Sequence, residues 1–116
     1  MRQFQDLTVW QKSHQLVLDV YHATKQFPRQ EQYGLIAQMR RAAVSIPANL
    51  AEGHKRKGRR EFANFLTIAE GSLEELKYYL KLSEDLGYLS KDIAEGLPMK
   101  ADEIGRMLHG LKSHVR

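Results

Sequence analysis

The chain has 116 residues, of which 42% are hydrophobic and 28% are charged, and its formal net charge at pH 7 is +4. This length predicts a single domain over residues 1–116, because it leaves room for one hydrophobic core and none for a second. The composition excludes a disordered, fibrous or membrane-spanning chain, and the absence of cysteine excludes disulfides and thiolate metal sites.

The first stripe of apolar residues predicts a helix that begins near Thr8 and ends before Pro28. Its members recur at steps of three and four residues, and they include Val9, Trp10, Leu16, Val17, Val20, Tyr21 and Thr24. Asp6 or Thr8 is expected to cap this helix by accepting hydrogen bonds from free backbone N–H groups. We expect the aromatic side chains on the stripes to pack in the core rather than to stack on bases; they are Trp10, Tyr21, Phe62 and Phe65.

The second stripe predicts a helix over about residues 34–53 that continues through Pro47. Its members are Leu35, Met39, Ala42, Ala43, Ile46 and Leu50. Proline cannot donate to the carbonyl four residues back and its ring crowds that turn, so we expect a kink at Pro47. The stripe keeps its phase across the proline, which favours one kinked helix over two. Gly53 is the expected end, and Asn49 is a candidate to bind a carbonyl that the proline leaves free.

The third stripe is the longest and predicts a helix over about residues 60–86. Its members are Phe62, Phe65, Leu66, Ala69, Leu73, Leu76, Leu80 and Ser83. Gly71 lies mid-helix, where a close approach of another backbone would explain a glycine. A fourth stripe follows Ser90 and predicts a fourth helix, with Ser90 as its expected cap. Because Pro98 interrupts this stripe, the sequence does not establish that the first two turns are helical. Four such helices with short connections predict an all-α, antiparallel, up-down-up-down four-helix bundle.

Residue spacings typical of metal or catalytic sites are missing. The nearest match to a di-iron carboxylate motif is a single Asp19-x-x-His22 pair without a second copy. The string from Gly53 to Arg60 lacks the Lys-Ser/Thr pair of a phosphate-binding loop, and no predicted strand precedes it. We therefore expect no metal, no cofactor and no enzymatic activity.

Positive charge is concentrated between the second and third helices. Residues 1–60 carry a net charge of +7 and residues 61–103 carry −6. Lysine and arginine side chains suit phosphate oxygens, and arginine binds them through its planar fork. The candidate nucleic-acid-binding residues are the five cations of this run and two arginines of the second helix: Lys55, Arg56, Lys57, Arg59, Arg60, Arg40 and Arg41. A solvated loop without a ligand is the alternative.

A second surface is a candidate for contact between subunits. One face of the second helix carries small residues between two charged ones, in the order Arg41, Ser45, Ala48 and Glu52. Small residues let another helix approach closely, whereas a merely solvated face is the alternative. Two tyrosines straddle the edge of the third stripe, so at least one of them should be exposed. The candidate interface residues are Ser45, Ala48, Tyr78 and Tyr79.

Several motifs resemble those of the bacterial 23S rRNA intervening-sequence protein family. The first helix contributes Asp6-Leu7-x-Val9-Trp10-Gln11-Lys12, followed by Phe27-Pro28 and Tyr33-Gly34-Leu35. The most specific stretch is the continuous segment from Gln38 to Gly53, which includes Pro47, Asn49 and Glu52. Further matches are Glu61-Phe62, Phe65-Leu66, Ala69-x-Gly71-Ser72-Leu73-x-Glu75-Leu76 and Gly87-Tyr88-Leu89. The resemblance covers residues 4–89 closely and the fourth helix in pattern only.

The resemblance implies a bundle fold and a ring-shaped homo-oligomer, since pentamers are known in the family. Members are encoded within sequences inserted in ribosomal RNA genes or as stand-alone genes. A related group is the accessory protein of diversity-generating retroelements, whose basic barrel is thought to bind nucleic acid and a reverse transcriptase. The resemblance therefore implies these two kinds of partner. The family has no assigned catalytic residues.

These observations together favour a non-enzymatic, homo-oligomeric protein that binds nucleic acid, RNA in preference to DNA, through residues 54–60. The alternative is an adaptor whose ring binds a protein partner such as a reverse transcriptase. Binding to a membrane surface is not favoured, because the basic residues are not interleaved with exposed aromatic ones on an amphipathic helix. We expect a cytoplasmic protein, since cysteine is absent and residues 2–20 lack the apolar segment of a secretory signal.

Overall fold

The computed structural model describes residues 3–115 and contains four long helices. They are α1 (Thr8–Thr24), α2 (Leu35–Lys55), α3 (Arg59–Asp85) and α4 (Lys91–Val115). Each helix packs against the next, and α4 returns to pack against α1, whereas the diagonal pairs make no close backbone contact within residues 3–115. This is a four-helix bundle of 43 × 24 × 20 Å, whose long axis matches the roughly 40 Å expected for the 27 residues of α3.

Contacts between neighbouring helices pair residues in opposite order along the chain. Helices α1 and α4 are joined by the ion pairs Lys12–Glu103, at 3.3 Å, and Asp19–Lys100, at 2.7 Å. Helices α3 and α4 show the same reversal in the pairs Glu70–Lys112 and Lys77–Asp102, each at 3.0 Å. Helices α1 and α3 therefore each run antiparallel to α4.

The side chains of the core are mostly those of the four apolar stripes. The largest fully buried ones are Leu16, Val20, Thr24, Met39, Ile46, Leu50, Leu66, Leu73, Leu76, Leu80, Ile104 and Leu108. Their burial drives assembly of the bundle, since each Å² of apolar surface removed from water contributes about 25 cal/mol. Trp10 and Phe62 are half-buried against this core. The expectation of core packing is wrong for Tyr21, which is 38% exposed.

The start of α1 differs from the prediction. Leu7 occupies the N-cap position, and no side chain caps the helix, so the predicted role of Asp6 or Thr8 is wrong. A short 3-10 turn precedes the helix, and the Leu7 N–H donates to the Phe4 carbonyl at 3.0 Å. The Gln11 side-chain amide donates to the Gln5 carbonyl at 2.9 Å. The N-terminal turn is thereby fastened to the first turn of α1.

Helix α2 is one continuous helix through Pro47, as predicted; the kink itself stays a prediction. The Asn49 side-chain amide donates to the Ser45 carbonyl at 2.7 Å and to the Ser45 hydroxyl at 2.9 Å. The carbonyl that Pro47 leaves free is the one four residues back, on Ala43. Asn49 therefore supports the helix next to the proline, but on a different carbonyl from the expected one.

Two glycines have roles that differ from those predicted. Gly53 does not end α2, which continues to Lys55. It is buried, and a Cβ atom added to it would lie 2.7 Å from the Cβ atom of Phe65, so this glycine lets α3 approach α2. A Cβ atom on Gly71 would meet nothing within 4 Å. The prediction that another backbone lies close to Gly71 is therefore wrong within one protomer.

Helix α4 begins where its sequence predicts. The Ile93 N–H donates to the Ser90 hydroxyl at 3.3 Å, which is the expected cap. The first two turns are helical and the helix runs on through Pro98. Among the helices of residues 3–115, none combines the length and the apolar character needed to cross a membrane.

Candidate nucleic-acid interface

Residues 54–60, which we call the basic run, lie at one end of the bundle, between α2 and α3. Helix α2 ends at Lys55 and α3 begins at Arg59, with Gly58 in extended conformation as the N-cap residue. The side chains of Lys55, Lys57, Arg59 and Arg60 are exposed. No described acidic group, within residues 3–115, forms an ion pair with any of these four. Four cations are thus available to an external anion.

Arg56 differs from the other four cations because it is engaged within the chain. Its guanidinium lies 3.3 Å from a carboxylate oxygen of Glu52 and 5.3 Å from the centre of the Phe65 ring. Glu52 and Glu61 also line a shallow cleft beside the basic run. The run contains no acid in the sequence, but two carboxylates flank it in space. We therefore expect Arg56 to contribute less to anion binding than its neighbours.

Arg59 and Arg60 occupy the first turn of α3, where cations oppose the helix dipole at a cost of about 0.3–1 kcal/mol each. Glu61 in the same turn offsets part of that cost. Their position is therefore not explained by helix stability.

The two arginines of α2 lie far from this end. Arg40 donates through Nε to the Thr24 hydroxyl at 2.9 Å, and its guanidinium sits 4.4 Å from the centre of the Tyr21 ring. These contacts fasten α2 to α1. Arg41 is exposed. Fourteen or fifteen helical residues separate these arginines from Lys55, a distance of about 21–22 Å along α2. The structure does not bring Arg40 and Arg41 together with the basic run.

The small residues of α2 turn toward two different neighbours. The Ser45 side chain faces α3, and its hydroxyl lies 2.8 Å from the hydroxyl of Ser72. Ala48 is exposed and lines a groove between α1 and α2. Ser45 is thus already used in packing within the protomer, and Ala48 is the one that remains accessible.

Of the two tyrosines of α3, one is exposed to solvent, as predicted. Tyr78 is 61% exposed, whereas Tyr79 is half-buried and its hydroxyl donates to the Glu75 carboxylate at 3.0 Å. Burial and this hydrogen bond to an anion both raise the pKa of Tyr79. Ile68, which is 50% exposed, and Gly71 lie on the same outer face of α3 as Tyr78. The periodicity of α3 does not single out Ile68, because this residue lies off the apolar stripe.

An apolar groove between α1 and α2 is a feature that sequence analysis missed. Trp10 stacks on His14, with ring centres 5.1 Å apart and planes 8° apart, and Phe4 meets the indole edge-on at 5.2 Å. The remaining lining residues are Val17, Val44, Pro47, Ala48 and Ala51. The groove depends on the register of α1 against α2, which periodicity does not give.

Metal-binding side chains do not cluster anywhere in the described part of the chain: no three of the His, Asp and Glu residues lie close enough together to hold an ion.

A family model for the 23S rRNA-intervening sequence protein matches residues 5–110. The chain belongs to this family. The match extends well into α4, where the sequence motifs agreed in pattern only. A crystal structure of a protein with unknown function from the S23 ribosomal protein family of Bacteroides thetaiotaomicron is similar, with a TM-score of 0.84 and 25% sequence identity. The similarity covers 90% of this chain and 98% of that one. Among curated protein sequences, none matches.

Proposed function

We propose that this intervening-sequence family protein is a non-enzymatic homo-oligomer of the cytoplasm that binds RNA through the basic end of its bundle. The observation that carries the proposal is a group of exposed cations, Lys55, Lys57, Arg59 and Arg60, that form no ion pair with an acidic side chain of residues 3–115. Two of them oppose the dipole of α3, so a bound phosphate would compensate for their cost. The family description adds the link to ribosomal RNA.

Assembly would multiply this charge. The basic run occupies the same end of every protomer, so a cyclic oligomer would arrange several copies as a basic ring. The exposed apolar side chains Ile68 and Tyr78 lie on one face of α3 with the exposed Gly71 between them, and they support contact between subunits on this face. We expect a ring of five subunits.

The binding proposal is tested by the salt dependence of RNA affinity. Each phosphate neutralised releases counterions, so log affinity falls with log salt by about 0.7 units per contact on a single strand. Replacing Lys57, Arg59 and Arg60 with glutamine is expected to weaken binding to every RNA sequence and to lower that slope by up to about 2 units. The measurement is a filter-binding or anisotropy titration at several salt concentrations.

A matched control removes the same charge from the opposite end of the bundle. Lys25, Arg29 and Lys91 are all exposed there, and their replacement by glutamine is expected to leave the slope nearly unchanged. If the two triple variants bind RNA equally well, the basic run is merely solvated. The adaptor function, with a protein partner such as a reverse transcriptase, then becomes the better proposal.

The assembly proposal is tested by light scattering. The parent protein is expected to have a mass of about five times its 13.4 kDa protomer. Tyr78→Arg and Ile68→Arg place a charge on the outer face of α3 and should reduce that mass. Met99→Arg is the control, because Met99 is 71% exposed on α4 and away from this face. A parent that is monomeric at micromolar concentration would contradict the proposal.

A further inference from the structure

The apolar groove and the basic run form one continuous surface. Phe4 and Ala51 line the groove that contains Trp10 and His14, and the same two residues line an adjoining hollow with His54 and Lys55. Along α2 the shared face runs Val44, Ala48, Ala51 and Lys55, at steps of four, three and four residues. An apolar, aromatic strip therefore leads directly to a lysine at the basic end.

The chemistry of this surface is that of a single-stranded nucleic acid. Sequence-tolerant binding of single strands combines cations that follow the phosphates with aromatic rings on which bases stack. Here His14 is exposed and stacked on the half-buried Trp10, so the outer ring of an aromatic pair lies at the mouth of the groove. A double helix keeps its bases stacked inside and has nothing to place there.

We propose that the groove between α1 and α2 accepts an unstacked base of a single-stranded RNA segment, against Trp10 and His14, while the adjoining phosphates lie on Lys55 and the basic run. This inference rests on the proposed RNA binding and specifies its substrate class. The occupant is argued from charge, since the apolar groove opens onto Lys55, with which no acidic side chain of residues 3–115 forms an ion pair. An anionic polymer that also carries flat apolar rings satisfies both halves of the surface.

Trp10 makes the proposal directly measurable, because it is the single tryptophan of the chain. Titration with an oligouridylate is expected to quench the Trp10 fluorescence in parallel with binding. An abasic oligomer of equal length carries the same phosphates without bases, and a duplex RNA carries bases that are already stacked. Both are expected to leave the fluorescence nearly unchanged, and the abasic oligomer should bind about 5- to 100-fold more weakly than the oligouridylate.

A matched pair of histidine variants provides the second readout. His14→Ala removes the outer ring of the aromatic pair, and His22→Ala removes another exposed histidine of α1 that lies outside the groove. The first is expected to weaken oligouridylate binding severalfold without changing binding of the abasic oligomer. The second should change neither. Both positions are exposed, so the fold is expected to persist, and circular dichroism checks it.

Three outcomes would overturn the inference. Equal affinity for the oligouridylate and the abasic oligomer would mean contact with phosphates only; the groove would then be unused while the proposed RNA binding stands. No binding of either oligomer would remove both proposals. Trp10 fluorescence that responds to dilution of the protein but not to the oligouridylate would show that a second copy of the chain occupies the groove.

Discussion

Gly53 of α2 and Phe65 of α3 meet where these two helices lie too close together for a side chain at position 53. A Cβ atom on Gly53 would lie 2.7 Å from the Cβ atom and 3.3 Å from the Cγ atom of Phe65, and 3.0 Å from a ring carbon of Phe62. The Phe65 Cβ atom is fixed to its backbone, so it cannot move away unless α3 shifts. The glycine thus sets the spacing of the two helices next to the basic run.

Gly53→Ala is therefore expected to destabilise the bundle. Overpacking of a close contact costs about 1–3 kcal/mol, and the better helix propensity of alanine offsets about 0.5–1 kcal/mol of it. Gly110→Ala on α4 is the matched control, because a Cβ atom there meets nothing within 4 Å, and it should raise the free energy of unfolding by about 0.5–1 kcal/mol. Urea unfolding at one fixed protein concentration measures both. A stabilised Gly53→Ala variant would contradict the close approach.

Gly53 also shows what the sequence does and does not reveal. The helices themselves were predictable, because burial on one side of a helix requires apolar residues at steps of three and four. The role of Gly53 was not predictable, because a glycine that stops a helix and a glycine that admits a neighbouring helix look the same in one sequence. The difference depends on the register of α2 against α3, which only the folded chain defines.

The candidate site also has one part that the sequence predicts and one part that depends on the packing of the helices. The basic run is a local charge cluster, and its exposure at one end of the bundle follows from its place between two predicted helices. Arg40 and Arg41, by contrast, are adjacent in sequence but lie about 100° apart around the helix. One faces Thr24 and Tyr21 of α1 and the other faces solvent. No pattern within α2 alone distinguishes them.

Arg40 is expected to act in stability rather than in RNA binding. Arg40→Lys keeps the charge but loses the planar group that both donates to Thr24 and lies over the Tyr21 ring. The free energy of unfolding should fall by about 1–2 kcal/mol, with RNA affinity nearly unchanged. Arg41→Lys, at an exposed position, should change neither quantity. A loss of RNA affinity in Arg40→Lys at full stability would instead place Arg40 in the binding surface.

Ser13 is expected to destabilise the native bundle. It is 0% exposed, and its hydroxyl has no hydrogen-bond partner among residues 3–115. A buried polar group without a partner costs about 1–3 kcal/mol, so Ser13→Ala should raise the free energy of unfolding. Ser83 is equally buried, but its hydroxyl donates to the Tyr79 carbonyl at 2.7 Å. Ser83→Ala should therefore lower the free energy of unfolding, and opposite signs for the two variants are the result to look for in urea unfolding.

The bundle is expected to lose stability in alkaline solution. Tyr88 donates its hydroxyl to the Glu31 carboxylate at 3.0 Å, and this hydrogen bond, followed by burial, raises the pKa of Tyr88 above its ordinary value of 10.0. The pKa of Lys77 is raised above 10.5, first by its hydrogen bond to Asp102. Both groups hold their protons more tightly in the folded chain than in the unfolded one, so their contribution is complete below about pH 10 and is lost as the pH rises through the folded-state pKa values.

The contribution of Tyr88 is isolated by Tyr88→Phe, which removes the hydroxyl that would otherwise ionise beside Glu31. The free energy of unfolding of the parent is expected to stay level up to about pH 10 and then to fall, and Tyr88→Phe should fall less steeply. Tyr33→Phe is the control, because Tyr33 is 89% exposed, and it should follow the parent curve. Urea unfolding monitored by circular dichroism between about pH 8 and about pH 11.5 provides the measurement. If Tyr88→Phe loses stability as steeply as the parent, the hydrogen bond between Tyr88 and Glu31 does not contribute to folding. The segment between α1 and α2 would then be held to the segment between α3 and α4 by the packing of the Phe27 ring against the Tyr88 ring.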